Sequence, residues 1–232
     1  MKEICHITFT GVDARTDLRQ LQKLQNDYPL AEFGILTSYH WNENGNRYLN
    51  PAFLMAFRGI RFKLALHVCG SATKDAVEGN WDKLNEHLYG CLCLFNRIQL
   101  NVSTRENLPK ACAISAFCGQ EIIIQQKNKD NLSFFLNSAA EHEKQSYSVL
   151  LDASGGRGID NVIDVYESEH KVGYAGGISP ENVEDKLAVL LANPAVGKFW
   201  IDMESGVRTD DWFDLDKVED VLKKCYTLLR NA

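Results

Sequence analysis

No stretch of this 232-residue chain approaches the ~18 unbroken apolar residues that a membrane-spanning helix needs. There is no cluster of Lys and Arg, and the formal net charge is −6, so a nucleic-acid-binding face is not expected. The opening MKEICHITFT lacks a long apolar segment and does not read as a signal peptide. The seven cysteines are odd in number and irregularly spaced, which suits reduced thiols in a cytoplasmic protein better than a disulfide framework. Cys91 and Cys93 find no second Cys/His pair at zinc spacing and read as core. No G-x-G-x-x-G follows the first apolar run, which argues against a dinucleotide-binding open sheet. No linker or low-complexity tract interrupts the chain, so one domain over residues 1–232 is expected.

What the chain does have is alternation. Hydrophobic residues make up 45% and charged residues 24%, enough to build a buried core. Eight short apolar runs recur from end to end: EICHITFT, AEFGILTS, FKLALHVCG, NRIQLNVS, EIIIQQ, SVLLDASG, KVGYAGG and KFWIDMES. Each is nearly continuous in apolar character, as strands buried on both faces of a parallel sheet are. Segments of helical period lie between them, at 16–28, 51–59, 73–90, 104–112, 131–143, 161–169, 180–193 and 214–230. Thr16-Asp17 suits the cap of the first helix, Pro180 a first helical position, and Asn193-Pro194 a helix end. Eight strand–helix units of about 29 residues predict an α/β fold of the (β/α)8 TIM-barrel type.

In such a barrel the chemistry sits at the C-terminal strand ends, and phosphate is commonly held by the loops after strands seven and eight. Gly176 and Gly177 end strand seven, and Ser205 and Gly206 end strand eight. Glycine lets backbone N–H groups approach an anion, and a helix N-terminus adds partial positive charge. These two loops therefore predict a phosphate pocket, over which the SGGRG loop containing Gly156 is placed to close. Asp152 ends strand six, where an apolar surround raises a carboxyl pKa and suits it to donate a proton; its alternative role is to cap the glycine turn. Arg47, in a polar loop after strand two, suits a bidentate clamp on a substrate carboxylate, or else is a solvated loop residue. Cys5 and His6 lie on opposite faces of strand one. A thiol near helix N-termini acts as a base if its pKa is lowered; otherwise Cys5 is core. His67 and Asn101 approach the ends of strands three and four. His67 with Asp152 and Asp202 is a possible metal set, set against a satisfied core histidine.

These motifs together resemble the phosphoribosylanthranilate isomerase family of tryptophan biosynthesis, ribulose-phosphate-binding barrels. EICHIT is similar to that family's KICGIT, NRYLNP to KRYISP, IQLN to VQLHG and VLLDASGGRG to LLLD…GGTG. AGGISPENV is similar to AGGLNPENV, and WIDMESGV to VDVSSGVE. The resemblance implies an Amadori rearrangement of a phosphoribosyl aldosylamine to a 1-amino-1-deoxyketose phosphate, without cofactor or metal. It implies Cys5 as general base, Asp152 as general acid, Arg47 on the anthranilate carboxylate, and Gly176, Gly177, Ser205 and Gly206 on the phosphate. The partner is then a small phosphorylated sugar, handled by a cytoplasmic monomer or homodimer. Departures lie at His6, which replaces the motif's glycine, at Asn101-Val102, which replace His-Gly, and in the loops ahead of Arg47 and after Asp152. A metal-dependent phosphosugar epimerase or aldolase, and a non-catalytic phosphate-binding barrel, are the alternatives.

Overall fold

The structure, a computed structural model, describes residues 2–43, 45–101, 119–127, 147–152, 162–163, 165–168 and 170–231. Eight parallel strands form a closed barrel: β1 Glu3–Thr10, β2 Ala31–Thr37, β3 Leu64–Val68, β4 Arg97–Leu100, β5 Glu121–Gln126, β6 Tyr147–Asp152, β7 Val172–Ala175 and β8 Lys198–Met203. β8 pairs back onto β1, so no edge is left open. All eight strands fall on the apolar runs of the sequence. The described helices are α1 Leu18–Asp27, α2 Ser71–Val77, α3 Trp81–His87, α4 Val183–Ala192 and α5 Leu215–Asn231.

The helix expectations needed more correction. The 51–57 segment is a 3-10 helix opened by Asn50, whose side chain accepts from Ala52 N–H. The long segment over 73–90 is broken in two where Gly79 takes a positive φ of 81°. Asp17 caps α1 as expected, accepting from the amides of Arg19 and Gln20. Pro180, by contrast, lies in a turn ahead of α4, whose cap is Asn182. No regular structure occurs at 162–163 or 165–168, where a helix was expected. The helices expected at 104–112 and 131–143 lie outside the described residues. Cys5, Cys69, Cys91 and Cys225 are free thiols, whereas Cys93 is disulfide-bonded, which departs from the all-thiol expectation.

Period-two alternation sorts the strand residues into two environments. Outward-facing Ile7, Phe9, Phe33, Ile35, Leu64, Leu66, Ile98 and Ile124 join the helices in one large apolar core. The bore is different. At its N-terminal end Arg97 binds Glu32 (2.8 Å) and Glu121 (3.3 Å), and Lys171 binds Glu121 (2.5 Å). The Arg97 guanidinium also lies 4.2 Å from the centre of the Trp200 ring. Above this ionic layer Ile123, Leu150 and Trp200 form an apolar plug. Above the plug the bore turns polar again, with Thr10, His67, Gln99, Asp152 and Asp202 all buried. The plug thus separates a structural layer of charges from the polar floor of the upper mouth.

Candidate active site

A cavity of ≈ 70 Å³ opens at the C-terminal ends of the strands. At about 15 Å³ for each water, it holds on the order of five waters. Its floor is the upper polar layer, and its wall is built by Gly176, Gly177, Ile178, Glu204, Ser205 and Gly206.

Thr10, the last residue of β1, donates its hydroxyl proton to Asp202 Oδ1 at 2.8 Å. While Asp202 is ionised and that proton is committed, Thr10 Oγ1 accepts from His67 Nε2 at 3.3 Å, so the Nε2–H tautomer goes with the ionised carboxylate. Burial lowers the His67 pKa to about 4 and keeps the ring neutral. The room for Thr10 comes from its neighbour across the sheet. A Cβ at Gly34 would lie 2.4 Å from Thr10 Oγ1 and 2.9 Å from its Cα.

Asp202 is almost wholly buried, and burial raises its pKa to about 8, against which the Thr10 hydrogen bond works. Its Oδ2 has no hydrogen-bond partner among the described residues, and neither does Gln99 Oε1. Both belong to cavity-lining side chains, so two buried acceptors are left for a ligand. Asp152 lies at the end of β6 and accepts from Gln125 Nε2 at 2.8 Å. Asn101 also lines the cavity, accepting from Gln99 Nε2 and donating to Cys69 Sγ.

The two glycine loops meet. A Cβ at Gly206 would lie 2.0 Å from the carbonyl oxygen of Ile178, so only glycine allows the loop after β8 to rest on the loop after β7. Gly177 takes φ +60°, and its carbonyl accepts from Asn182 Nδ2 at 2.8 Å. Asn182 Oδ1 accepts from Ser179 N–H at 2.9 Å, so one side chain pins both sides of the turn. The amides of Gly177, Ser205 and Gly206 donate to no backbone carbonyl of the described residues.

The structure therefore gathers Asp152, Asn101, Gly176, Gly177, Ser205 and Gly206 around one cavity. It does not bring Cys5 there. Cys5 lies five residues before the end of β1, about 16 Å away at ~3.3 Å per residue. Its charged neighbours are Lys171, Glu3, Lys198 and Glu121, all from the N-terminal ends of strands. Burial pushes its thiol pKa up, the reverse of what the thiolate expectation required. His6 is likewise at that end, 3.8 Å from Glu32, with a pKa lowered to about 4 by burial. Arg47 sits at the rim, bound to Glu204 and Asp211 at 2.9 Å each. Gly156 lies outside the described residues. Among the described residues no three His, Cys, Asp or Glu side chains converge as metal ligands, so His67, Asp152 and Asp202 do not form such a set.

A family model described as N-(5'-phosphoribosyl)anthranilate (PRA) isomerase matches residues 105–224, just over half of the chain. The chain belongs to the phosphoribosylanthranilate isomerase family. Its function is accordingly that of an isomerase of this type. The match begins beyond β4, so it takes in Asp152 and both glycine loops and leaves out Cys5 and Arg47. The fold is similar to the N-(5'-phosphoribosyl)anthranilate isomerase of Pyrococcus furiosus, with TM-score 0.57, 16% identity, and 96% of this chain and 98% of that one covered. It is also similar to the phosphoribosyl anthranilate isomerase of Thermococcus kodakaraensis, with TM-score 0.58, 15% identity and full coverage of both chains. A phospho-2-dehydro-3-deoxyheptonate aldolase from Thermotoga maritima shares the barrel at TM-score 0.59 and 11% identity, covering 98% of this chain and 70% of that one. No curated protein matches the chain. Among the described residues no helix is long and apolar enough to cross a membrane.

Thr10, Gln99, Gln125 and Glu204 are site residues that the sequence reading did not single out. Each is a polar residue within or just beyond the last three positions of a strand, and that is the signal by which they are found.

Proposed function

We propose that the barrel carries out the Amadori rearrangement of an N-(5-phosphoribosyl) arylamine, with Asp152 as general acid and Asp202 as general base. Asp152 protonates the ring oxygen, and the C1–O bond breaks to leave an iminium at C1. Asp202 then takes the C2 proton, and the electron pair moves into C1–C2 while the iminium is neutralised. The resulting enol tautomerises to the C2 ketone with a proton returned to C1. A carboxylate whose conjugate acid has a pKa near 8 is a far stronger base than an ordinary aspartate and is matched to neutral solution. Thr10 and His67 position it.

The phosphate goes to the loops at Gly176-Gly177 and Ser205-Gly206, where the amides of Gly177, Ser205 and Gly206 donate to no backbone carbonyl of the described residues. The observation that carries the reading is the buried Asp202 Oδ2, without a hydrogen-bond partner among the described residues, on a side chain that lines the same cavity as Asp152 and both glycine loops. The test is turnover of N-(5-phosphoribosyl) arylamines, followed by the change in arylamine fluorescence, for wild type, Asp152→Asn and Asp202→Asn. Each variant is expected to lose at least about a hundredfold in kcat/KM, in line with the loss of a general acid or base. Activity within about threefold of wild type in either variant refutes the role given to that residue.

A further inference from the structure

A phosphate ester brings about −1.5 to −2 charges at neutral pH, yet the charged side chains of the cavity wall are themselves acidic. Asp152, Asp202 and Glu204 line it, and among the described residues no Lys or Arg does. The two arginines at the rim are committed elsewhere. Arg47 is bound to Glu204 and Asp211, and Arg208 to Asp13 and Asp211. A cation for the phosphate has to be sought behind the wall.

Lys186 stands there. It belongs to α4, four residues after the cap Asn182, so the two side chains lie one above the other on one face of the helix. Lys186 is only 9% exposed, which is uncommon for a lysine. Its Nζ lies 3.4 Å from the carbonyl oxygen of Gly176, while Asn182 Nδ2 donates to the carbonyl of Gly177 at 2.8 Å. Two consecutive carbonyls of the loop after β7 are thus drawn toward α4. A trans peptide holds its C=O and N–H on opposite sides, and no cis peptide occurs among the described residues. The Gly176 carbonyl shares its peptide with the Gly177 N–H, and the Gly177 carbonyl with the Ile178 N–H. Both N–H groups are therefore turned away from α4, and neither donates to a backbone carbonyl of the described residues. Gly177 and Ile178 both line the cavity. Successive N–H groups beside a left-handed glycine, here Gly177 at φ +60°, make the kind of concavity that takes an anion.

We propose that Lys186 is the positioning residue of the phosphate site. Its ammonium holds the Gly176 carbonyl back against α4, presents the Gly177 and Ile178 amides to the phosphate, and supplies positive charge from behind the loop. This rests on the phosphate reading of the two glycine loops and not on the identity of the general acid or base. A charge buried under the loop acts across it with less screening than a surface charge would, so it need not touch the phosphate.

The test compares wild type with Lys186→Met, which keeps the stem and removes the charge, and Lys186→Arg, which keeps the charge. Inorganic phosphate is titrated while backbone amide resonances are followed by NMR, and turnover of the phosphoribosyl arylamine gives kcat and KM. In wild type the Gly177 and Ile178 amide protons are expected to move downfield as phosphate is added. Lys186→Met is expected to bind phosphate at least about tenfold more weakly, as loss of one desolvated charge does. Its KM is expected to rise by a similar factor with kcat within about threefold of wild type, the pattern of lost uniform binding. Lys186→Arg is expected to keep phosphate affinity within about threefold, because the charge stays. Unchanged affinity in Lys186→Met overturns the role of Lys186 and leaves the phosphate reading intact. An equal loss in both variants assigns the side chain to packing and overturns that role too. Wild-type binding that leaves the Gly177 and Ile178 resonances in place, or no binding at all, defeats both the proposal and the phosphate reading, and requires no variant to fold. Phosphate binding with the expected Lys186 effect but no turnover keeps the proposal and removes the arylamine substrate.

Discussion

Asp152 and Asp202 stand level in the barrel: each is in register with Ala175, one on either side of β7. Two strand spacings of ~4.8 Å put their Cα atoms on the order of 9 Å apart across the curved wall. That separation lets two carboxyls address neighbouring atoms of one sugar without repelling each other at contact distance. Their surroundings differ. Asp152 accepts from an amide N–H of Gln125, whereas Asp202 holds a hydroxyl from Thr10 and one buried oxygen with no partner among the described residues.

A base works only in its ionised form, and the Asp202 pKa is raised to about 8 by burial. Below that value most molecules carry the proton and are inactive; above it they are ready. Asp152→Asn removes the general acid's own ionisation from the profile, so the residual kcat/KM of that variant is expected to rise with pH, close to tenfold per unit between pH 6 and 7, and to level off above about 8. Stopped assays in a constant-ionic-strength buffer series measure this. A profile flat from pH 5 to 8 excludes Asp202 as the base.

Cys5 and Thr10 occupy opposite ends of one strand, which makes them a paired test of where the chemistry lies. Cys5→Ala is expected to leave kcat/KM within about twofold, since among the described residues the thiol makes a single weak contact, 3.9 Å to the Glu3 carbonyl. Thr10→Val removes the donor to Asp202 Oδ1 and leaves a buried acceptor unsatisfied, worth about 1–3 kcal/mol. It is expected to lower kcat/KM at least about tenfold and to move the pH midpoint upward, since a hydrogen bond that lowers the Asp202 pKa is gone. Loss of activity in Cys5→Ala with retention in Thr10→Val reverses the assignment.

The fate of Cys5 shows which parts of this protein the sequence makes legible. All eight strands were readable because a parallel barrel buries both faces of each strand, and continuous apolar runs such as EIIIQQ betray that. The place of Asp152 and of the two glycine loops on the cavity was readable because they sit where an apolar run stops, at the strand ends that line it. Cys5 lies inside its run, and a period of two reports which face a residue takes but not how far along the bore it sits. The register irregularity between Ile4 and His6 compounds this, because it breaks the alternation just where Cys5 stands. Arg47 shows a second limit. Its loop position was right for the rim, but the carboxylates that occupy it come from residues 204 and 211, more than 150 positions away. No local pattern encodes a contact of that range.

The junction of the two glycine loops has a direct test in Gly206→Ala. The added methyl would overlap the Ile178 carbonyl at 2.0 Å, and the backbone atoms there cannot rotate away as a side chain can. The loops must part, and the two stretches that line the cavity lose their relative placement. The expected result is weaker binding of inorganic phosphate and of ribitol phosphate ligands by at least about tenfold, equivalent to ~1.4 kcal/mol. Gly59→Ala serves as the control, since nothing lies within 4 Å of a Cβ there and its positive φ of +82° sets a backbone penalty on the variant away from the site. Unchanged phosphate binding in Gly206→Ala removes the loop junction from the site.

Arg97 holds two buried carboxylates at the closed end of the bore, and its side chain is only 3% exposed. Burial pushes the pKa of Glu32 up, but the Arg97 charge, His6 and the Thr8 hydroxyl overcome that and hold it below the usual carboxylate value. Glu121 is held low in the same way by Arg97 and Lys171. Arg97→Met keeps much of the stem that packs on Trp200 while removing the charge from both partners. Deleting one member of a buried ionic cluster costs about 3–5 kcal/mol, because Glu32 is left buried without its cation while Glu121 keeps Lys171 alone. Urea unfolding at pH 7 is expected to show a loss of that size. The loss shrinks as the pH is lowered through the carboxylate range, where Glu32 and Glu121 take up protons in the variant and no longer need a counter-charge. A deficit that is the same at pH 4.5 and pH 7 would assign the role of Arg97 to packing on Trp200 rather than to neutralising the two glutamates.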